Sequence, residues 1–259
     1  QETYVFPFCN GLDGAKERGC LAFAERTGGY TLADISTTAR RAGDHFVLNG
    51  TKRNVIHGHQ ANPRVILFRM EGTTGSDGIG ACVLPAQTEG LSVTVEEHRL
   101  GLLAAPSVSY TLHDVAIPQD AMLGEPGSNE VIRAATLYSI LRSGVACGMV
   151  RAALKYASAY AEERIAFGRP IVSYQGIAFM LAEMAMKLDA VRLLLWNAAA
   201  SWDQKVDREK LVWDAEGVQR QAIALCKSAT TDAIQIMGGA GFMQDHPAEM
   251  WMRNAAAME

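Results

Sequence analysis

The chain has 259 residues, enough for one large domain or two ordinary ones, and 49% of them are hydrophobic, so a sizeable core is possible. Its net charge of −4 offers no support for nucleic-acid binding, which wants a basic face. The five cysteines (Cys9, Cys20, Cys82, Cys147 and Cys226) show no metal or redox spacing and point to a reducing, cytoplasmic setting, and no apolar run approaches the roughly 20 residues of a membrane helix.

Residues 1–19, with Gly11, Gly14 and Gly19 among charges, read as a connector. Short β-branched runs follow: Leu21 to Ala24, Ile35 to Ala39, His45 to Leu48, Thr51 to His57, Arg64 to Met70, Ile79 to Leu84, Leu91 to Glu97 and Val108 to Leu112. Ala42-Gly43-Asp44 is a turn, and Asn49-Gly50 is a strong hairpin signal. These short strands predict an antiparallel β-sandwich or barrel over 20–124. His57 and His59 read as loop residues, because no third ligand stands at metal spacing.

Asp114-Val-Ala-Ile-Pro118 and Leu123-Gly-Glu-Pro-Gly127 read as a hinge. Beyond it the composition becomes rich in Ala, Leu and Met with few breakers. Four helices are predicted over 129–165, 174–203, 208–237 and 244–259, and their short connections predict an antiparallel four-helix bundle over 125–259. The fold class is therefore α+β. Between the first two helices, Gly168 and Pro170 are expected to stop one helix and Ser173 to cap the next. Ile177, Met180, Leu181, Met184, Leu188, Val191 and Leu195 then form an apolar stripe, and Met180, Met184 and Met186 suggest self-association through the bundle.

Glu163-Arg164-x-x-Phe167-Gly168-Arg169-Pro170-Ile171, then Gln175 and Leu181-Ala-Glu-Met184, resembles the acyl-CoA dehydrogenase family. Thr38 to Lys52, Asp114-Val-x-Ile-Pro118, Thr231-Asp-Ala-x-Gln235-Ile-Met-Gly-Gly-Ala-Gly241 and Met252-Arg253 look like further landmarks of it. The spelling from Glu25 to Asp34 is similar to the branch of pimeloyl-CoA dehydrogenase small subunits. The resemblance implies a fragment: a helical domain ahead of the connector and the C-terminal end are missing. It implies FAD as cofactor, an acyl-CoA substrate, an electron-transferring flavoprotein as acceptor, and a homo- or hetero-tetramer. The implied reaction is α,β-desaturation, with a base taking the α-proton and flavin N5 the β-hydride. Alternatives are a low-flavin partner subunit of a heteromeric enzyme and a non-catalytic helical interaction protein.

The same resemblance assigns residues. Arg164, Phe167 and Gln175 would reach a neighbouring subunit's FAD. The open alternatives are a solvated surface arginine for Arg164 and core filling for Phe167. Gln235, Gly238 and Gly239 would face the same cofactor, although a helix end wants a glycine anyway. Ala24 and Ile56 stand where the family places flavin-bonding threonines. Arg142 and Tyr30 would lie beside the acyl-CoA; for Arg142 a structural salt bridge is the alternative. The family's base positions fall on Leu141 and beyond residue 259, so no catalytic residue is expected here and Glu259 is read as a surface residue. No metal site is expected.

Overall fold

The computed structural model describes residues 18–25, 29–85, 87–95 and 99–258. Most of the expected connector, Cys9, residues 26–28 of the Glu25 to Asp34 spelling, Glu97 and Glu259 lie outside the described residues. The chain divides into two compact units, Gln1–Arg99 with Leu103–Ala135, and Leu100–Leu102 with Thr136–Glu259.

Among the described residues the first unit is built on β1 (Cys20–Ala22), β2 (Thr38–Ala42), β3 (His45–Ile56), β4 (Arg64–Met70), β5 (Ile79–Leu84), β6 (Leu91–Val95) and β7 (Ser107–Pro118). They form one sheet in the order β1-β4-β2-β3-β7-β6, with β5 pairing on β4. The sheet is mixed, which corrects the expected antiparallel sandwich or barrel: β1 and β2 both run parallel to β4. Turn signals mark where a strand ends. They do not say which distant strand it joins, so parallel pairs reached by long connections are invisible to them.

Of the two turn readings, the first holds and the second changes. Ala42 pairs with His45, so the tight turn is Gly43-Asp44, with Gly43 at φ 68°. Asn49-Gly50 is no hairpin but an irregularity inside β3. Glycine is required at position 50 by proximity, because a Cβ there would lie 2.6 Å from the Thr37 Oγ1. Asn49 Nδ2 donates to Asp114 Oδ1 and the Asp114 N–H donates to Asn49 Oδ1, both at 2.9 Å, which clamps the two strands beside the irregularity. The expected hinge at Asp114 to Pro118 is instead the end of β7, paired on the start of β3. Pro118 is the last residue of that strand, where a missing N–H is tolerated. Phe46, Leu48, Val55, Ile66, Phe68, Val108, Tyr110 and Ile117 form the core of this unit.

The second unit contains α1 (Asn129–Glu163) from Thr136 onward, then α2 (Gln175–Asp203), α3 (Arg208–Met237) and α4 (Ala248–Ala256). Ala146, Ala153, Ala157 and Ala161 of α1 share one core with Leu181, Met184, Leu188 and Val191 of α2 and with Ala215, Ala222, Ala229 and Ala233 of α3. Residues four apart lie on one helix face, so these alanines make a smooth side against which neighbouring helices close. Ile177, Met180 and Leu195 pack at the edge of that core, as the stripe predicted. Met186 is 66% exposed and Met184 is buried, so the methionines do not form one outer surface. Asp207 starts α3, its Oδ1 accepting from the Lys210 N–H at 2.9 Å. Ser173 does not cap α2: its hydroxyl donates back to Pro170 O at 2.7 Å, and Tyr174 holds the cap position. The fourth helix starts after Pro247, later than predicted. No described helix is long and apolar enough to cross a membrane.

Candidate functional site

The segment expected to be a plain helix stop is a miniature hairpin. After Glu163, β8 (Ile165–Ala166) pairs antiparallel with β9 (Arg169–Pro170). Its two tip residues, Phe167 and Gly168, have φ of 52° and 86°. Two positive φ values suit the twist of a tight hairpin. Glycine adopts such a value freely, whereas phenylalanine does so at a cost of roughly 1–2 kcal/mol. Tyr174 braces the tip: its hydroxyl donates to Ala166 O at 2.9 Å, and its ring meets the Phe167 ring edge-on at 6.4 Å. The Arg169 guanidinium covers the Tyr174 ring at 4.2 Å, and the Ile171 N–H closes the base by donating to Arg164 O at 2.9 Å. Phe167 is 96% exposed, which removes the core-filling alternative. Arg164 and Gln175 are exposed as well.

The second group of expected cofactor residues stands at the same end of the bundle. Tyr160, one turn before Arg164, packs on Ile234 and Met237 at the end of α3. Gln235 is exposed beside them, and Gly238 and Gly239 follow directly. Gly238 ends α3 at φ 60°. A Cβ built on Gly239 would meet no atom within 4 Å. Nothing in this chain requires glycine there, so the position is open for a group to lie against the backbone. A guanidinium, an outward aromatic ring and bare backbone suit a flat, phosphate-bearing cofactor.

The sheet unit's positions are different. Ala24 is 2% exposed, and its carbonyl accepts from the Arg53 N–H at 2.7 Å. Ile56, at the end of β3, is 37% exposed. Neither offers a hydroxyl. Tyr30, expected beside substrate, is buried at 7% exposure, with its ring 6.3 Å from that of Phe23. Arg142 donates through Nη2 to Met258 O and lies over the Tyr138 ring at 5.9 Å. Leu141, at one of the two places where the family resemblance puts a base, is 61% exposed and carries no proton acceptor. Among the described residues no group of three His, Cys, Asp or Glu could hold a metal ion.

One ionic group escaped the sequence reading. The Lys52 side chain has no exposed surface, and its Nζ lies 2.6 Å from Glu25 Oε1. Burial would raise the Glu25 carboxyl, but the Lys52 charge and hydrogen bonds from Lys52, Ser36 and Thr37 outweigh it and hold the carboxyl below its usual range. For Lys52 burial prevails over the pull of Glu25 and pushes the ammonium down to about 8. A period-two count along β3 could have found it, since Phe46, Leu48 and Lys52 share the buried parity.

Comparisons with known proteins cover almost all of the chain. A family model described as acyl-CoA dehydrogenase, middle domain, matches residues 20–115, and one described as acyl-CoA dehydrogenase, C-terminal domain, matches 130–259. The mitochondrial short-chain specific acyl-CoA dehydrogenase of Rattus norvegicus is 35% identical over 262 residues, covering 100% of this chain and 62% of the rat protein. The structure of butyryl-CoA dehydrogenase from Megasphaera elsdenii superposes with a TM-score of 0.79 at 28% identity, over 99% of this chain and 66% of that one. A structure described as an FAD-dependent dehydrogenase gives 0.77 at 26% identity, over 95% of this chain and 66% of its own. The chain thus spans about three-fifths of the length of the curated relatives it matches.

Proposed function

The chain belongs to the acyl-CoA dehydrogenase family, and on that premise we propose that it is part of an FAD-dependent enzyme that desaturates an acyl-CoA thioester between its α and β carbons. In this reading residues 1–19 are a connector, the sheet domain runs over 20–124 and the bundle over 125–259. FAD, when bound, supplies the hydride acceptor. Arg164 donates its planar fork to phosphate or an adenine-side oxygen. The exposed Phe167 ring shields a flat ring from water, and Gly238 and Gly239 let the cofactor approach the backbone. Gln175 and Gln235 offer amides to its polar edges. Arg142 stands near the acyl-CoA. Arg164, Phe167 and Gln175 serve the FAD of a neighbouring subunit in a homo- or hetero-tetramer, and an electron-transferring flavoprotein receives the electrons. Cys20, Cys82, Cys147 and Cys226 are buried free thiols, in keeping with a cytoplasmic protein.

The observation that carries this reading is Phe167: an aromatic ring held at positive φ on a braced tip, 96% exposed. Strain is retained where a function uses it. The test is flavin per chain in the purified full-length protein. About one FAD per chain is expected, and a folded protein without flavin would overturn the reading. A second reading, a subunit that completes a partner's flavin site and holds little flavin itself, is favoured by buried Ala24 and by Leu141. It predicts flavin only after mixing with a second, unlike chain.

A further inference from the structure

We propose that Glu25 and Lys52 form an ionic clamp that fixes the backbone of residues 23–25 on β3 and thereby positions what the sheet unit itself offers a flavin. This rests on the flavin reading above. The clamp gathers three stretches of chain. Lys52 Nζ donates to Glu25 Oε1 at 2.6 Å and to Phe23 O at 3.2 Å. Glu25 Oε1 also accepts from the Thr37 N–H at 2.9 Å, while Oε2 accepts from the Ser36 N–H at 2.6 Å and from the Ser36 hydroxyl. Glu25 is 7% exposed at its side chain and Lys52 not at all, so water competes little for these bonds.

Stability alone does not explain the pair. An apolar pair of similar volume generally serves a fold as well or better, because both charges must be stripped of water. What the pair provides is direction: each bond has one geometry, whereas apolar side chains can slide. The direction matters here because Ala24 lies between the two clamped residues. Its carbonyl is held by the Arg53 N–H at 2.7 Å, next to Lys52 on the strand that ends in Ile56. With no hydroxyl at 24 or 56, what the sheet can offer a flavin there is backbone, and the clamp sets where that backbone stands. Gly50 supports the same arrangement, since a Cβ there would lie 2.7 Å from the Thr37 Cα and push residues 36 and 37 off β3.

The test uses full-length protein and the double variant Lys52→Met/Glu25→Gln, which removes both charges at nearly constant volume. Two measurements are made: amide hydrogen exchange at Ser36, Thr37 and Arg53, and FAD affinity from fluorescence quenching on reconstitution of the apoprotein. Expected are exchange and FAD dissociation constants each raised by about tenfold, with cooperative unfolding kept. Glu25→Asp, which keeps both charges but shortens the reach, is expected to shift both in the same direction by less, and it serves if the double variant does not fold. Unchanged exchange overturns the clamp, and faster exchange with unchanged FAD affinity overturns its positioning role. If the wild type binds no FAD and Arg164→Ala alters nothing, the flavin reading has failed, and exchange alone then upholds or overturns the clamp.

Discussion

In the sheet unit Lys52, Arg64 and Arg69 are buried, and each is engaged by a particular neighbour. Lys52 meets Glu25, Arg64 lies over the Tyr110 ring at 5.5 Å, and Arg69 donates to the carbonyls of Leu32, Ile35 and Asp77 at 2.8, 3.0 and 3.2 Å. The bundle interior is instead lined by alanines that are at most 1% exposed. One unit is keyed by charge and direction, the other by volume. In the bundle the exposed candidate side chains of Arg164, Phe167, Gln175 and Gln235 project from a scaffold that does not need them. In the sheet unit two of the candidate positions, Ala24 and Tyr30, are part of the interior itself. Function and stability should therefore separate in the bundle and stay coupled in the sheet.

The largest effect should come from breaking one partner of the ion pair. Lys52→Met leaves the Glu25 carboxylate buried without its cation, which costs about 3–5 kcal/mol. Urea unfolding should register that loss, and a loss below about 1 kcal/mol would mean water reaches Glu25 in the folded state. The corresponding break in the bundle is one of size. Ala157→Leu adds volume at a fully buried position of α1 and should cost about 1–3 kcal/mol. A neutral result would show that the helices can separate there.

How legible each unit was follows from the same contrast. The bundle's apolar stripe repeats locally, so Leu181 to Val191 and the ends of α3 could be read directly. The sheet depends on partners distant in sequence. Asn49-Gly50 carries the chemistry of a turn yet serves an irregularity in β3, because the neighbour that demands glycine is Thr37. A lysine in a strand reads as solvent-facing, and the partner of Lys52 lies 27 residues earlier, ahead of β2. In the candidate site, residue types were readable from local spelling. The hairpin that exposes Phe167 was not, since Gly168 fits a helix stop equally well.

A third substitution probes the separation expected in the bundle. Phe167→Gly relieves a positive φ and removes the ring. Stability should stay level or rise by up to about 1 kcal/mol, while FAD affinity falls about tenfold. Thermal melting and flavin titration of the same preparation give both numbers. A parallel loss of both would mean that the ring supports the fold and that the contrast between the units is wrong.

The smallest effect concerns pH and belongs to the sheet unit. Folded Lys52 titrates at about 8, below its ordinary value of 10.5. The groups facing it are Glu25, already ionised, and Cys82, whose thiol burial raises to about 12 and so keeps neutral in this range. Between pH 8 and 10.5 the unfolded chain carries a proton that the folded chain has released. Stability must then rise with pH, by at most about 1.4 kcal/mol per unit. Below that window both states are protonated and above it neither is, so the contribution is flat. Glu25 acts at the acid end: its folded pKa is depressed, so its contribution is present above the ordinary 4.5 and lost as pH falls through the folded value. Urea unfolding at about pH 7.5 and about pH 9, in wild type and in Lys52→Met/Glu25→Gln, isolates the lysine from every other titrating group. The wild type should gain up to about 1 kcal/mol relative to the variant. An equal pH response in the two proteins would show that Lys52 holds its proton throughout, through a tighter hold by Glu25 than its burial opposes.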